Sequence, residues 1–410
     1  MPTTISKHRF VAKLGVLAAV AVMGGNAMAQ TPPGAIPVGP MFAYPEIEVA
    51  VKRDSNIALL PDATRQADTI WYLRPALKLE AKQGENVYDV TYRGEFGRYN
   101  DNTAQNFNNH DLNGRANMTL DARNNLKLGL QYENKVDPPG SLVGVATTPV
   151  PNNYIKSTGT GLYTYGAQDA QGKLELQGGY FDKVYQNNRT ATIPLDMTQA
   201  DYGGTFLWRV MPKTYLTATL KQSKMDYKQS TSTLDGTNTY QLIGVRWEAT
   251  AATSGKFSIG NLNKKFDSAG KAAGRQDQSL PSWEGSVEWK PLSYSTVDFQ
   301  TQQVANESTG LGDFSKNSTN RALWTHAWTS RITTKLGGSY SVDEFQNAPV
   351  ASAGNANRRD KTKEGGLRVD YTVQRWLKFG AEYRYTGRDS NDNTADYNRG
   401  QFMLLLSGTL

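Results

Sequence analysis

The chain has 410 residues, with 45 Lys and Arg against 38 Asp and Glu, three His and no Cys. Disulfide scaffolds, thiol nucleophiles and cysteine-held metals are therefore excluded. The small net charge, without a long basic run, speaks against a nucleic-acid partner.

In chain order, Lys7, Arg9 and Lys13 precede an apolar run from Leu14 to Met23 that is too short to span a bilayer as a helix. Ala27-Met28-Ala29 has the small-residue pattern of a cleavage site. Residues 1–29 read as a secretory signal peptide, the alternative being an uncleaved anchor. Its removal takes three basic and no acidic residues, leaving a formal charge of +4 from the +7 of the whole chain. Residues 30–42, rich in Pro and Gly, read as an irregular periplasmic lead-in, and residues 43–410 as one transmembrane β-barrel.

From there one pattern repeats. In the run 124–135, Leu126, Leu128, Leu130 and Tyr132 alternate with Lys127, Gly129, Gln131 and Glu133. Period two puts these sets on opposite faces of a strand. The same split recurs down to Phe402, Leu404 and Leu406. It predicts about 18 strands, an even number as single-chain bacterial barrels have. Their centres fall near residues 48, 76, 92, 116, 130, 161, 178, 205, 219, 244, 260, 286, 299, 325, 338, 368, 381 and 403. Short turns, such as Gln83-Gly84-Glu85 and Met211-Pro212-Lys213, alternate with long polar loops near 53–68, 100–109, 136–154, 186–198, 227–237, 267–279, 306–318, 346–363 and 388–396. Short periplasmic turns and longer extracellular loops are the asymmetry of outer-membrane barrels. Lipid offers no hydrogen-bond partners, so a spanning sheet must close on itself. The fold class is all-β, a closed antiparallel transmembrane barrel, and the location is the outer membrane of a Gram-negative bacterium. The competing reading is a soluble sheet with its apolar faces packed on a second layer.

A barrel of about 18 strands is too wide for its own side chains to fill, so the lumen holds water. The polar strand faces supply its lining: Lys127, Glu133, Lys173, Glu175, Lys221, Arg246, Glu248, Glu284, Glu288, Lys290, Asp298, Lys335, Arg368, Asp370, Lys378, Glu382 and Arg384. A strongly ion-selective pore would show one sign. This mixed wall suits a large, hydrated, weakly charged or zwitterionic solute such as a sugar polymer, or no particular solute at all. Trp71, Tyr72, Tyr88, Tyr92, Tyr99, Trp208, Tyr215, Trp324, Trp328, Trp376 and Tyr383 read as belts at the lipid headgroups, although a lumen-facing ring could stack on a sugar. His110 adjoins a long loop and His326 lies between Trp324 and Trp328. Nothing places a nucleophile and an orienting acid beside either, so no catalytic, cofactor or metal site is expected. Arg53-Asp54-Ser55-Asn56 is echoed by Arg388-Asp389-Ser390-Asn391. If the first strand pairs with the last, both should lie close together at the outer rim, as two similar turns or as a site for a cation or glycan.

These two tetrapeptides, together with Pro75 in Leu73-Arg74-Pro75-Ala76-Leu77-Lys78-Leu79, Tyr383-Arg384-Tyr385, Tyr397-Asn398-Arg399 and the leucine-rich last strand, carry a resemblance. The chain resembles the exopolysaccharide-operon outer-membrane barrels, the EpsL-like group within the putative β-barrel porin 2 class. It departs from many outer-membrane barrels by ending on Leu410 and not on an aromatic. The resemblance implies secretion of an exopolysaccharide, with the polymer as substrate and periplasmic polysaccharide-export components as partners, in a setting of outer-membrane lipid and lipopolysaccharide. The residues alone leave a diffusion porin open, with loop 136–154 as the candidate inward constriction. They also leave open a surface hydrolase or an adhesin.

Overall fold

In the computed structural model, which describes residues 35–143, 148–250 and 252–409, the expected alternation becomes a closed antiparallel barrel. A short strand β1 (Ile36–Val38) leads into β2 (Met41–Asp54), β3 (Asp68–Gln83), β4 (Asn86–Tyr99), β5 (Phe107–Thr119), β6 (Asn124–Asp137) and β7 (Asn152–Tyr165). Then come β8 (Gly172–Tyr185), β9 (Met197–Met211), β10 (Thr214–Tyr227), β11 (Gly236–Thr250), β12 (Thr253–Phe266) and β13 (Gln278–Leu292). The circuit is completed by β14 (Ser295–Glu307), β15 (Phe314–Ala327), β16 (Ile332–Val350), β17 (Ala356–Gln374), β18 (Leu377–Ser390) and β19 (Tyr397–Thr409). Each strand from β2 onward pairs with the next, and β19 returns to β2 through the register Gln401↔Asp54 to Thr409↔Glu46. Leaving out β1, the 19 strands of the sheet give a ring of 18, and every expected centre lies inside one of them.

The ring closes because no other arrangement leaves the edge amides satisfied in lipid. At the bottom of β2, where β19 has ended, β1 takes over the free edge by pairing Ile36↔Ala43. The supposed irregular lead-in is thus in part a strand, and the barrel begins at Met41. The signal-peptide assignment lies outside the described residues.

The greasy side of the alternation faces away from the barrel. Leu130 is 64% exposed and Ile243 69%, on a surface that lipid would cover. On β6 the outward set Leu126, Leu128, Leu130 and Tyr132 runs about 20 Å along the strand, near the height of the apolar band of such barrels. Among the described residues, no second layer covers these side chains.

The short connections, from residues 84–85 to 375–376, lie at one end of the barrel and the long ones at the other. Two expected loops shrink. Segment 346–363 is mostly a hairpin, because β16 and β17 each run 19 residues and turn only at 351–355. Segment 306–318 is likewise strand except at 308–313.

The barrel seam is held by charge. Asp54 is fully buried and accepts from Arg399 Nε (3.0 Å) and Nη2 (2.6 Å), Gln401 Nε2 (2.9 Å) and the Asn56 amide (3.1 Å). Removing one partner of a buried pair strands the other, at a cost of about 3–5 kcal/mol. Asp54→Ala should therefore lower, by several degrees, the temperature at which the barrel loses its fast migration in SDS gels. Asp54→Asn, which keeps some of the hydrogen bonds, should lose less. An unchanged transition in Asp54→Ala would show that the seam does not depend on this pair.

Candidate functional site

The site is the lumen. Strand parity places Lys127, Glu133, Lys173, Glu175, Lys221, Arg246, Glu248, Glu284, Glu288, Lys290, Asp298, Lys335, Arg368, Asp370, Lys378, Glu382 and Arg384 on the inner side of the wall. Much of this charge is tied up in pairs. Arg246 grips Glu175 through two bonds of 2.7 and 2.9 Å, and Lys221 reaches Glu284 at 2.8 Å. Each of these pairs joins strands three apart, so the side chains cut across the concave wall. Arg368 pairs with Asp370 and Glu382, Arg384 with Glu382 and Glu364, Glu133 with Lys135, and Glu288 with Lys290. Lys173 lies over the ring of Tyr215 at 5.1 Å. Among the described residues, Lys127, Lys173, Glu248, Asp298, Lys335 and Lys378 have no ion pair.

The interior is drier than the alternation suggests. Ile70, Leu207, Leu242, Leu262 and Leu405 point inward and are buried. On the β2–β5 side, Ile57 and Ala58 of the 55–67 connection fold in and pack with Ala50, Ile70, Tyr72, Tyr99 and Leu405. Three rings expected in the belts therefore belong to the lumen. Tyr72 is 7% exposed beneath Arg74, and both Tyr72 and Tyr99 meet Phe107 edge-on, while Tyr215 carries Lys173. Trp71, Tyr88, Tyr92, Trp208, Trp324 and Tyr383 face outward.

Two elements then narrow the mouth. The connection between β6 and β7 leaves the rim at Pro138 and passes inward. Gly140, at φ +71°, lies so close to Ala58 that a Cβ would overlap the Ala58 carbonyl oxygen. Beyond it, Val143 accepts a hydrogen bond from Thr309 Oγ1 at 3.1 Å. Thr309 belongs to the β14–β15 connection, eight strands around a ring of 18, so the contact crosses nearly the full width of the barrel. The returning limb is pinned at the rim, where Gln105 Nε2 donates to Pro149 O (2.8 Å) and Asn188 Nδ2 to Val150 O (3.1 Å).

The second element was not anticipated. Pairing of β13 with β14 ends at Trp283↔Gln303, although β14 and β15 stay paired up to Glu307↔Phe314. The tip of that hairpin leaves the wall and turns into the lumen. Glu307 and Phe314 have outward parity, yet both meet the inner face of β11 and β12. The Glu307 carboxylate takes Lys264 Nζ at 2.9 and 3.0 Å and Asn238 Nδ2 at 3.1 Å. Lys264 is fully buried, with its ammonium 5.2 Å from the centroid of Phe314 and 5.3 Å from that of Phe266. Arg275 pairs with Asp313 at the tip. Between the two elements remains a cavity of about 190 Å³, lined among others by Val143, Thr309, Asp343, Asp360 and Arg388. Asp343 accepts from Asn317 Nδ2 (2.9 Å), and Asp360 from Arg358 Nε (2.9 Å) and Nη2 (2.8 Å) and from Ser390 Oγ (2.6 Å).

The rim echo is near in space but not equivalent. Outward Ile47, Val49 and Val51 set Arg53 outward and Asp54 and Asn56 inward, whereas outward Tyr383 and Tyr385 set Arg388 and Ser390 inward and Asp389 outward. Asn56 Nδ2 donates to Asn398 O (3.1 Å) and to Leu60 O (2.7 Å), closing a turn. Asn391 Nδ2 donates to Asn357 O (2.9 Å), and Asn391 Oδ1 accepts from the Arg359 amide. The two segments do not converge on one oxygen cluster. Nearby, Asp392 accepts from Thr394 Oγ1 and its amide, which holds its carboxyl below the usual carboxylate range.

The two described histidines, His110 and His326, belong to the outer surface. His110 Nδ1 lies 3.0 Å from the Tyr92 hydroxyl and the ring packs edge-on to Phe96. His326 sits among Tyr294, Trp324 and Trp328 near the short-turn end.

No curated protein sequence matches the chain. Among solved structures it is similar to OccK9 (OpdG) of Pseudomonas aeruginosa, at 13% identity over 90% of this chain and 98% of that one, with a TM-score of 0.49. It is similar to OprD of the same species at 13% identity, 90% and 95% coverage and a TM-score of 0.45. It is also similar to the FrpB iron transporter of Neisseria meningitidis at 10% identity and a TM-score of 0.47, covering 85% of this chain and 63% of that longer protein. Residues 31–408 match the family described as "Putative beta-barrel porin 2", and the chain belongs to that family of outer-membrane β-barrels.

Proposed function

We propose that the protein is a diffusion channel for small polar solutes. The observation that carries this reading is the contact between Val143 and Thr309, by which an inward connection and an inward hairpin meet across the mouth. A constriction between polar walls passes small hydrated molecules and sorts them by size and charge. Paired charges of both signs around it favour neutral or zwitterionic solutes over simple ions.

Exopolysaccharide secretion, the role implied by the EpsL-like motifs, fits this geometry less well. A polymer needs an unobstructed bore, and the family match stops at porin. The reading includes export through residues 1–29 and requires no periplasmic export partner. Planar-bilayer conductance and swelling of proteoliposomes in sugars of rising size test it. Open channels with a sharp cut-off at small oligosaccharides are expected. Entry of long polysaccharide chains, or loss of surface polymer on deleting the gene, would overturn it in favour of export.

A further inference from the structure

The outer wall carries one feature that the lumen does not explain. The outward residues of β17, read from the long-loop end, are Arg359, Lys361, Lys363, Gly365, Leu367, Val369 and Tyr371. The last three belong to the apolar band. The first three form a basic stripe directly above it. Lys363 stands four residues from Leu367, about 13 Å along the strand, at the depth where the band gives way to headgroups. Among the described residues, Lys361 and Lys363 make no ion pair, and no other strand presents three successive outward basic residues. Two of the other outward cations are tied locally: Arg98 bonds Asn108 Oδ1 at 2.8 Å, and Lys224 bonds Asp226 at 3.0 Å. Arg359 is partly neutralised by Glu344 at 3.4 Å. Between Lys363 and the apolar band the wall is bare. Gly338 and Gly365 are outward partners in register, and nothing lies within 4 Å of where a Gly365 Cβ would be, whereas Gly387, the partner of Lys363, lies under the Tyr385 hydroxyl. The rings of Tyr340 and Tyr385, 39% and 44% exposed, border this shelf.

Unpaired ammonium groups at a membrane boundary attract anionic headgroups, and a flat backbone shelf between tyrosines leaves room for a sugar ring. Long loops mark the extracellular end of such barrels, so the stripe lies in the outer leaflet. We propose that the outer face of β16–β18 is a docking site for a phosphorylated glycolipid of that leaflet, with Lys361 and Lys363 on its phosphates and the glycine shelf under its sugar. This site is independent of what passes through the lumen.

Purified barrel would be incubated in detergent with bis-phosphorylated lipid A, with its dephosphorylated form or with phosphatidylglycerol, and bound lipid counted by native mass spectrometry. Each basic residue near an anionic surface contributes roughly a factor of five. Lys361→Gln/Lys363→Gln should therefore weaken lipid A binding about 25-fold, and Lys361→Arg/Lys363→Arg should restore it. Arg53→Gln, outside the stripe, should bind as the parent does. Unchanged conductance of all variants shows that they are folded, since these side chains face away from the lumen. Equal binding by the Gln variant, or equally tight binding of dephosphorylated lipid A or phosphatidylglycerol, would overturn the proposal.

Discussion

Excising residues 139–150 and bridging Pro138 to Pro151 with a short Gly-Ser linker should raise single-channel conductance several-fold and lift the solute cut-off. Resistance concentrates at the narrowest part of a pore, and this connection reaches across the mouth to Thr309. The barrel itself should tolerate the change. The pairing of β6 with β7 up to Asp137↔Asn152 is untouched, and shortening a surface connection alters its closure entropy only slightly. What is lost is the packing of Gly140 on Ala58 and the bonds from Gln105 and Asn188, all outside the transmembrane ladder. The thermal transition in SDS gels should stay where it is. A deletion that leaves both conductance and cut-off unchanged would mean that the lumen is narrowest elsewhere, and the diffusion-channel reading would lose its main support.

Legibility in the sequence followed what the solvent on each side demands. Where one face meets lipid and the other the lumen, alternation is enforced, so Leu126 to Glu133 could be sorted residue by residue. The lumen list came from the same rule. The parity rule also held information that went unused. Trp71 and Tyr72 cannot share a face, nor can Tyr215 and Leu216, so one residue of each neighbouring pair had to point inward. The two rim tetrapeptides could have been told apart the same way, since Arg53 is two residues from Val51 and Arg388 three from Tyr385. Beyond the membrane the demand lapses. At the outer ends of β16 and β17 the polar sequence around Asn347 and Asn355 reads as loop although it forms a hairpin. The inward turn of β14–β15 was illegible for another reason. Its cause is a long-range pair, Lys264 with Glu307, and local periodicity carries no record of which distant residue an outward-parity glutamate will meet.

That pair sets the second large effect. Lys264→Met should release the hairpin tip. Methionine fills much of the lysine stem's space, but it leaves the Glu307 carboxylate inside the wall with only Asn238 as donor. Breaking a buried pair by removing one partner costs about 3–5 kcal/mol. The hairpin has already parted from β13 above Gln303, so the penalty can be relieved by swinging residues 304–317 outward without unfolding the barrel. Even about 3 kcal/mol would raise the population of the displaced tip on the order of 100-fold, at tenfold per 1.4 kcal/mol. Single-channel traces should then show frequent steps to a larger conductance, and amides of 308–313 should lose hydrogen-exchange protection while those of β6 and β7 keep theirs. Removing both charges with Lys264→Met/Glu307→Leu should restore the quiet state, because replacing a whole buried pair by apolar groups is often neutral or stabilising. If the single variant is as quiet and as protected as the parent, the tip is held by its apolar contacts around Phe314, and the ion pair is not its latch.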